Sequence, residues 1–123
     1  MSIVGIGIDL VDIERFRASL ARTPSMRARL FTSDELSYVE PKLDPVPSLA
    51  ARFAAREAAM KALGLGLGAF GFHDVWVSRA ESGAPSLVVE GTARRLADDA
   101  GVTRWHLSLT HSDSTAGAYV VAQ

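Results

Sequence analysis

The 123-residue sequence contains no cysteine. Disulfide bonds, thiol nucleophiles and thiolate metal sites are therefore excluded. A chain without disulfides is compatible with a reducing compartment, and we expect a cytoplasmic location. The sequence has only three histidines, and His73, His106 and His111 do not show the helical spacing of zinc ligands. We therefore expect no zinc site, and we assign His73 and His106 structural roles.

The sequence also lacks an excess of charge and any long apolar run. Its formal net charge is -1, which gives no overall basis for nucleic-acid binding. No segment approaches the ~20 apolar residues that a membrane span requires. The apolar start at Ile3 to Ile8 has no basic flank and runs into Asp9, so we expect no signal peptide. Small molecules and other proteins remain as the classes of partner to consider.

One well-known motif is incomplete and another is absent. Residues Gly5-Ile6-Gly7-Ile8-Asp9 match half of a dinucleotide-binding fingerprint, but Leu10 stands where the third glycine would be. The glycines instead predict close backbone packing in a central strand. Asp9 ends the apolar run, and a single carboxylate there is most typical of a helix cap or a turn. No Gly-x-Ser-x-Gly segment is present, so the serines do not indicate an acyl hydrolase.

The residues that are present are typical of one mixed domain. Hydrophobic residues make up 48% of the chain and charged residues 22%, which is enough apolar material for a real core. A chain of this length buries roughly two thirds of its unfolded surface. Strands are predicted at residues 2–11, 75–79, 86–90, 105–110 and 116–122, and helices after the capping residues Asp12, Thr32, Ser48 and Thr92. Residues 1–123 are therefore predicted to form a single α+β domain.

The predicted helix that runs to Gly64 has an unusual distribution of charge. On a helical wheel of about 100° per residue, half of the circumference holds only alanine. The other half mixes large apolar residues with charges, namely Arg52, Arg56, Glu57 and Lys61. A solvated helix would separate the two kinds of residue. We expect this helix to be packed on both sides, with sheltered charges that need a ligand, a metal or one another.

Basic residues are concentrated near the N-terminus. Five arginines occur between residues 15 and 29 with no acidic residue among them. Arg15 and Arg22 are seven residues apart and share one face of the first helix. One interpretation is an ordinary solvated face, and the other is a positive field that attracts an acidic partner.

Two further segments have the composition of phosphate-binding sites. Gly64, Gly66, Gly68 and Gly71 follow the central helix, and they are equally typical of a helix terminator with a flexible loop. His111 lies in a polar turn beside Thr110 and Ser112.

The final strands carry alternating apolar residues, Leu107, Leu109, Tyr119 and Val121, from which we expect an apolar face for assembly.

Taken together, these segments resemble the holo-acyl-carrier-protein synthases, which are small single-domain 4′-phosphopantetheinyl transferases. The resemblance covers nearly the whole chain and rests on Gly5-Ile6-Gly7-Ile8-Asp9, Phe31-Thr32 with Glu35, the block from Arg52 to Gly64, and Ser108-Leu109-Thr110-His111-Ser112. The block around Glu57 is the most specific of these. Two positions depart from the family pattern: Arg56 stands where lysine is common, and Ser112 separates the histidine from Asp113, whose role stays open.

The resemblance implies a fold, an assembly and a reaction. The fold is an antiparallel sheet packed around a long central helix, and the assembly is a homotrimer with each site between neighbouring subunits. Coenzyme A donates its phosphopantetheine arm to a serine of an acidic apo acyl carrier protein, and adenosine 3′,5′-bisphosphate leaves. The reaction requires magnesium and belongs to lipid metabolism such as fatty acid biosynthesis. The resemblance leaves open whether the carrier serves fatty acid or polyketide synthesis, and whether acyl-coenzyme A is accepted.

The resemblance also implies roles for particular residues. Asp9 and Glu57 would bind magnesium and act in catalysis together with Lys61. Coenzyme A would be contacted by Arg52, Lys61, Gly64, Thr110 and His111. Arg15 and Arg22 would meet the acidic carrier protein. The base that accepts the serine proton stays open, and a water molecule near Asp9 or Glu57 is one possibility.

Two other classes of function compete with the transferase. One is a non-catalytic module of the same fold that binds coenzyme A without transferring its arm. The other is a structural trimer subunit in which Glu57 pairs with Arg52, Arg56 or Lys61 in an internal salt-bridge network. The presence of Asp9, Glu57 and Lys61 together favours the enzyme.

Overall fold

The computed structural model describes residues 2–123. The helices are α1 (Ile13–Arg22), α2 (Met26–Leu30), α3 (Ser33–Val39), α4 (Val46–Ala62) and α5 (Gly91–Asp99). The strands are β1 (Gly5–Asp12), β2 (Val75–Arg79), β3 (Pro85–Val89), β4 (Trp105–His111) and β5 (Thr115–Ala122), with a short 3-10 turn at Phe72–Asp74 before β2. No helix within residues 2–123 is long and apolar enough to cross a membrane.

The strands form two antiparallel sheets around α4. One sheet has the order β1-β5-β4, and the other is the hairpin of β2 and β3. The single α+β domain and the antiparallel sheet around a long central helix are confirmed. The glycine-containing strand β1 lies at the edge of its sheet, however, whereas we predicted a central strand. The centre is β5, because both β1 and β4 pair with it.

Helix α4 lies very close to the backbone of β1. A β-carbon placed on Gly5 would lie 1.7 Å from the carbonyl oxygen of Ala62, and one on Gly7 would lie 1.8 Å from that of Ala58. The alanine half of α4 is entirely buried, as predicted: Ala51, Ala54, Ala55, Ala58, Ala59 and Ala62. Small residues on both elements are therefore what allows the helix and the strand to approach.

Local capping signals set most of the element boundaries. The side chain of Asp12 accepts a hydrogen bond from the Arg15 amide at 2.8 Å, and Thr32 and Glu35 form a reciprocal capping box. Two predicted caps are wrong. Helix α4 begins at Val46 after Pro45 rather than at Ser48, since proline is tolerated in a first helical turn, and α5 begins at Gly91 rather than after Thr92.

The apolar residues of the last two strands lie on opposite faces of the sheet. Leu107 pairs with Val120 and packs on the inner side with the alanines of α4, and Leu109 does the same beside Ala118. Tyr119 and Val121 alternate with those partners and therefore point to the outer side. The predicted single face of four residues is thus wrong, because the register offsets the two strands by one residue.

The outer face of this sheet is nevertheless apolar, since β1 contributes to it. Ile6, Ile8 and Leu10 are 52%, 55% and 67% exposed. Ile6 is in register with Val121, and Ile8 with Tyr119, which is 43% exposed. A contiguous exposed apolar patch of this kind is typical of an interaction surface.

The close approach of α4 and β1 predicts that Gly7→Ala will strongly destabilise the fold. The new methyl group would overlap a backbone oxygen that no side-chain rotation can move, at a cost of about 3 kcal/mol. The matched control is Gly66→Ala, because no atom lies within 4 Å of that position. Chemical denaturation of both variants measures the effect, and equal stability of the two would contradict this account of the contact.

Candidate active site

Two carboxylates from different elements meet at one cavity. Asp9 on β1 and Glu57 on α4 both line a cavity of about 390 Å³. Burial raises the pKa of Glu57, the negative charge of Asp9 raises it further, and Lys61 opposes both effects. Asp9 lies inside strand β1, because the strand continues to Asp12. It is therefore neither a helix cap nor a turn residue, the two roles most typical of a single carboxylate at such a position.

Lys61 joins this pair from the next turn of α4. Its Nζ donates to Oδ1 of Asp9 at 3.1 Å and to the backbone oxygen of Ile8 at 3.0 Å. The side chain of Lys61 is 54% exposed and that of Asp9 18%, so the ammonium group faces solvent while it holds the carboxylate. The structure therefore brings together Asp9, Glu57 and Lys61, the three residues predicted to be catalytic.

The internal salt-bridge network proposed for Glu57 is not formed. Within residues 2–123 Glu57 makes no ion pair, and Arg56 pairs with Glu35 instead. Sequence reasoning did not predict the pairing of Glu35 with Arg56. The signal that points to it is a buried arginine on α4, which requires an acidic partner from elsewhere in the chain.

The two carboxylates fit a magnesium ion that is shared with a substrate. Within residues 2–123 there is no group of three or more histidine, cysteine, aspartate or glutamate side chains that could hold a metal without other ligands. Magnesium commonly uses one or two carboxylates and takes its other ligands from water and phosphate oxygens. Asp9 and Glu57 supply two hard oxygen donors of that kind.

The rest of this cavity has an apolar wall and two further charged residues. Val11, Phe16, Met26 and Phe53 line it, together with Arg15 and Asp12. The rings of Phe16 and Phe53 pack with their centroids 5.4 Å apart. The carboxylates therefore share the cavity with an apolar wall and with Arg15 of α1.

The arginines of α1 differ in how they are paired. Arg17 bonds to Glu14 and, through both terminal nitrogens, to Asp44 at 2.9 and 2.8 Å. Arg15 and Arg22 are exposed and make no salt bridge within residues 2–123, although Arg22 approaches the hydroxyl of Ser19 at 3.5 Å. Arg17 is therefore neutralised, and Arg15 and Arg22 supply the positive field of this surface.

Arg52 lies in a different cavity of about 210 Å³, lined also by Asp34, Tyr38, Trp76 and Arg79. Its side chain is buried and its guanidinium carbon is 4.7 Å from the ring centre of Tyr38. One terminal nitrogen donates to the Ser48 carbonyl at 3.2 Å, but Nε is buried and has no partner among the described residues. Burial and the nearby charge of Arg79 lower the pKa of Arg52. The cavity thus has two arginines and one acidic residue in its lining, and Arg52 forms no ion pair within residues 2–123.

Thr110 and His111 line a third cavity of about 200 Å³, together with Leu10. Thr110 and Leu10 face the same side of the sheet, because both are in register with Gly117. That is the outer side, opposite the face packed on α4. His111 is in register with Ala116, at the end of the strand. Leu10 lines both this cavity and the cavity of Asp9 and Glu57, so the two cavities adjoin within one chain.

The remaining predicted residues have local roles. Gly64 has a positive φ of 72° and its amide bonds to the Lys61 carbonyl at 2.9 Å, so it ends the helix. Gly64 follows Lys61 by three residues along the chain. His73 bonds to the Ala28 carbonyl at 2.8 Å and His106 to the Gln123 side chain at 2.9 Å, in agreement with structural roles.

Comparison with known proteins identifies the family. Residues 5–123 match the profile of the family described as the 4′-phosphopantetheinyl transferase superfamily. The holo-[acyl-carrier-protein] synthase of Micrococcus luteus is 49% identical over 123 residues, which cover 98% of this chain and 92% of that protein. The chain belongs to the 4′-phosphopantetheinyl transferase superfamily, among the holo-acyl-carrier-protein synthases. The resemblance predicted from the sequence motifs is thereby confirmed, and the protein is an enzyme of the transferase class.

Solved structures of the same family agree with the fold. The synthase of Neisseria meningitidis has a TM-score of 0.89 at 31% identity, with 99% of both chains covered. The synthase of Helicobacter pylori, solved in complex with coenzyme A, has a TM-score of 0.83 at 28% identity and covers 96% of this chain and 99% of that chain. The phosphopantetheinyl transferase fold is therefore confirmed.

Proposed function

We propose that this synthase uses magnesium to transfer the 4′-phosphopantetheine arm of coenzyme A to a serine of an acidic apo acyl carrier protein, releasing adenosine 3′,5′-bisphosphate. The observation that carries the proposal is that Asp9 and Glu57 line one cavity while Lys61 bonds to Asp9. Phosphoryl transfer depends mainly on positioning and charge neutralisation, which two carboxylates and an ammonium group can provide. The coenzyme A complex of the Helicobacter pylori relative supports coenzyme A as the donor.

Asp9 and Glu57 would hold the magnesium ion. When bound, the ion would neutralise negative charge on the pyrophosphate. Lys61 would donate a hydrogen bond to the bridging or leaving phosphate oxygen, where negative charge grows as the bond breaks. The serine oxygen forms a bond to the β-phosphorus of coenzyme A, and the bond from that phosphorus to the bridging oxygen breaks.

The serine proton needs an acceptor near the two carboxylates. Asp9 and Glu57 line the cavity from two different elements, so a carboxylate oxygen is available on either side of it. A water molecule hydrogen-bonded to Glu57 or Asp9 would pass the proton from the serine to the carboxylate. This arrangement leaves Lys61 protonated for the phosphate.

Coenzyme A would extend from the carboxylates to the cationic cavity around Arg52. The unpartnered Nε of Arg52 is a buried donor, which a phosphate oxygen would satisfy. Lys61 lies in the last turn of α4 and bonds to Asp9, and Gly64 follows the end of the helix. Thr110 and His111 would complete the coenzyme A site from a neighbouring copy of the chain, as the family resemblance implies, because they line a cavity beside the exposed apolar face of the sheet.

The apolar outer face of the sheet supports assembly into a homotrimer with the sites between subunits. That face includes Ile6, Ile8, Leu10 and Tyr119, each more than 40% exposed in the single chain. It borders the cavity of Thr110 and His111, since Leu10 belongs to both. Burying this patch would place those two residues at a boundary between subunits.

The carrier protein would dock on the groove beside the carboxylates. Its acidic surface would meet Arg15 and Arg22, while Phe16 and Phe53 offer an apolar wall next to the reaction site. The carrier would be that of fatty acid or polyketide synthesis. The cytoplasmic location expected from the cysteine-free composition stays a prediction.

The metal assignment predicts that Asp9→Asn and Glu57→Gln will each lower turnover by about 100-fold or more, because each removes an anionic ligand while nearly preserving volume. The measurement is the mass gain of apo carrier incubated with coenzyme A and magnesium. Glu81→Gln is the control, because it makes the same chemical change at an exposed glutamate, and it should leave the rate unchanged. A wild-type protein that binds coenzyme A without modifying any carrier would instead support the non-catalytic binding module.

The exposed arginines of α1 predict that the double reversal Arg15→Glu with Arg22→Glu will weaken carrier binding by about tenfold or more at low salt. Its salt dependence should flatten, and coenzyme A affinity should stay the same. Arg95→Glu with Arg104→Glu makes the same change in net charge at other exposed positions and serves as the control. Titration by surface plasmon resonance compares the variants, and unchanged carrier affinity would identify α1 as an ordinary solvated face.

The apolar sheet face predicts a trimer in solution. Light scattering should give three times the mass of one chain, and Ile6→Glu with Tyr119→Glu should yield a folded, inactive monomer because charge would be buried in the interface. Leu43→Glu is the control, since Leu43 is fully exposed away from the sheet. A fully active species with the mass of one chain would disprove the shared site.

A further inference from the structure

A fully buried ion pair lies next to the carboxylate cluster but outside it. The side chains of Arg56 on α4 and Glu35 on α3 are both 0% exposed. Nη1 of Arg56 donates to Oε2 of Glu35 at 2.9 Å, and Nη2 donates to Oε1, so the contact is bidentate. Two parallel hydrogen bonds of this kind fix orientation as well as distance.

The remaining polar atoms of the pair connect α4 to its neighbours. Nε of Arg56 donates to the Phe72 carbonyl at 2.7 Å, in the 3-10 turn before β2. Glu35 also accepts from the Val77 amide of β2 at 3.1 Å and from the Thr32 amide at 3.0 Å. One ion pair therefore ties α4 to α3, to the 3-10 turn and to the second sheet.

The opposite side of α4 packs closely on β1. There alanines of the helix contact Gly5 and Gly7, and this contact sets the distance between the helix and the strand. The hydrogen bonds of Arg56 add fixed directions on the other side of the helix, because a bidentate ion pair constrains orientation as well as distance. The two contacts together hold α4 at one rotation about its axis.

Rotation of α4 matters for the site because Glu57 directly follows Arg56. The two side chains leave the helix about 100° apart, so the direction of Arg56 determines the direction of Glu57. Glu57 faces Asp9 across the cavity. A turn of the helix would change the separation of the two carboxylates without unfolding the chain.

The geometry points to a positioning role for the pair: Arg56 and Glu35 hold α4 at the rotation that lets Glu57 and Asp9 share one divalent cation. This inference rests on the metal assignment in the proposed function. Stability alone is a weak reason for such a pair, because the cost of desolvating two charges offsets much of their attraction.

The test measures metal affinity directly, with Mn²⁺ as the probe and electron paramagnetic resonance as the readout, in the full protein with coenzyme A present. Glu35→Asp keeps both charges but shortens the carboxylate, and Glu35→Gln with Arg56→Met removes both charges together. Each should bind Mn²⁺ at least fivefold more weakly and raise the magnesium concentration needed for half-maximal rate. Arg56→Lys keeps the charge opposite Glu35 but cannot form the two parallel hydrogen bonds, so it should also bind Mn²⁺ more weakly than wild type.

A control separates positioning from lost stability. Val39→Ala removes buried apolar contacts on α3 and should lower the melting temperature without changing Mn²⁺ affinity. If the Glu35 variants melt earlier yet bind Mn²⁺ as wild type does, the pair is only structural and the inference fails, while the proposed function stands. If wild type with coenzyme A binds no Mn²⁺, the metal assignment fails and the inference fails with it.

Discussion

The close packing of α4 on β1 is the constraint on which the site depends. The β-carbon positions of Gly5 and Gly7 coincide with carbonyl oxygens of Ala62 and Ala58, so neither element tolerates a larger residue there. Because the backbones approach this closely, the short side chain of Asp9 on the strand reaches the ammonium group of Lys61 on the helix. A strand held at an ordinary distance from the helix would separate the carboxylates by an extra layer of side chains.

The charges of α4 divide into matched and unmatched groups. Arg56 is neutralised by Glu35, and Lys61 is held by Asp9. Within residues 2–123, Nε of Arg52 is buried without a hydrogen-bond partner, and Glu57 has no ion pair. Unmatched, partly buried charge is costly, and it is concentrated where charged ligands bind. Arg52 and Glu57 are thus a cation and an anion that line two different cavities. A phosphate group would pair with Arg52, and a divalent cation would pair with Glu57.

The distribution of these cavities also bears on assembly. The residues that resemble the coenzyme A site of the family line different cavities, and the cavity of Thr110 and His111 includes two residues on the outer side of the sheet, Leu10 and Thr110. That side is the one that exposes Ile6, Ile8 and Tyr119. The placement of polar ligand residues beside an uncovered apolar face gives a physical reason for a site formed by more than one subunit.

Local signals in the sequence determined much of this protein. The capping residues Asp12 and Thr32 act within one turn, and the alanine half of α4 follows from a helical period, so both were predictable without tertiary structure. The specific block around Glu57 also indicated the family. The start of α4 was misplaced because prolines 45 and 47 are compatible with either a loop or a first helical turn.

Other features depend on contacts between distant residues. Arg56 pairs with a residue 21 positions away, and the faces of Leu107 and Tyr119 follow from strand register, because a shift of one residue reverses every side chain. Such pairings arise only when the elements pack, and this is why the tertiary structure alone decided them.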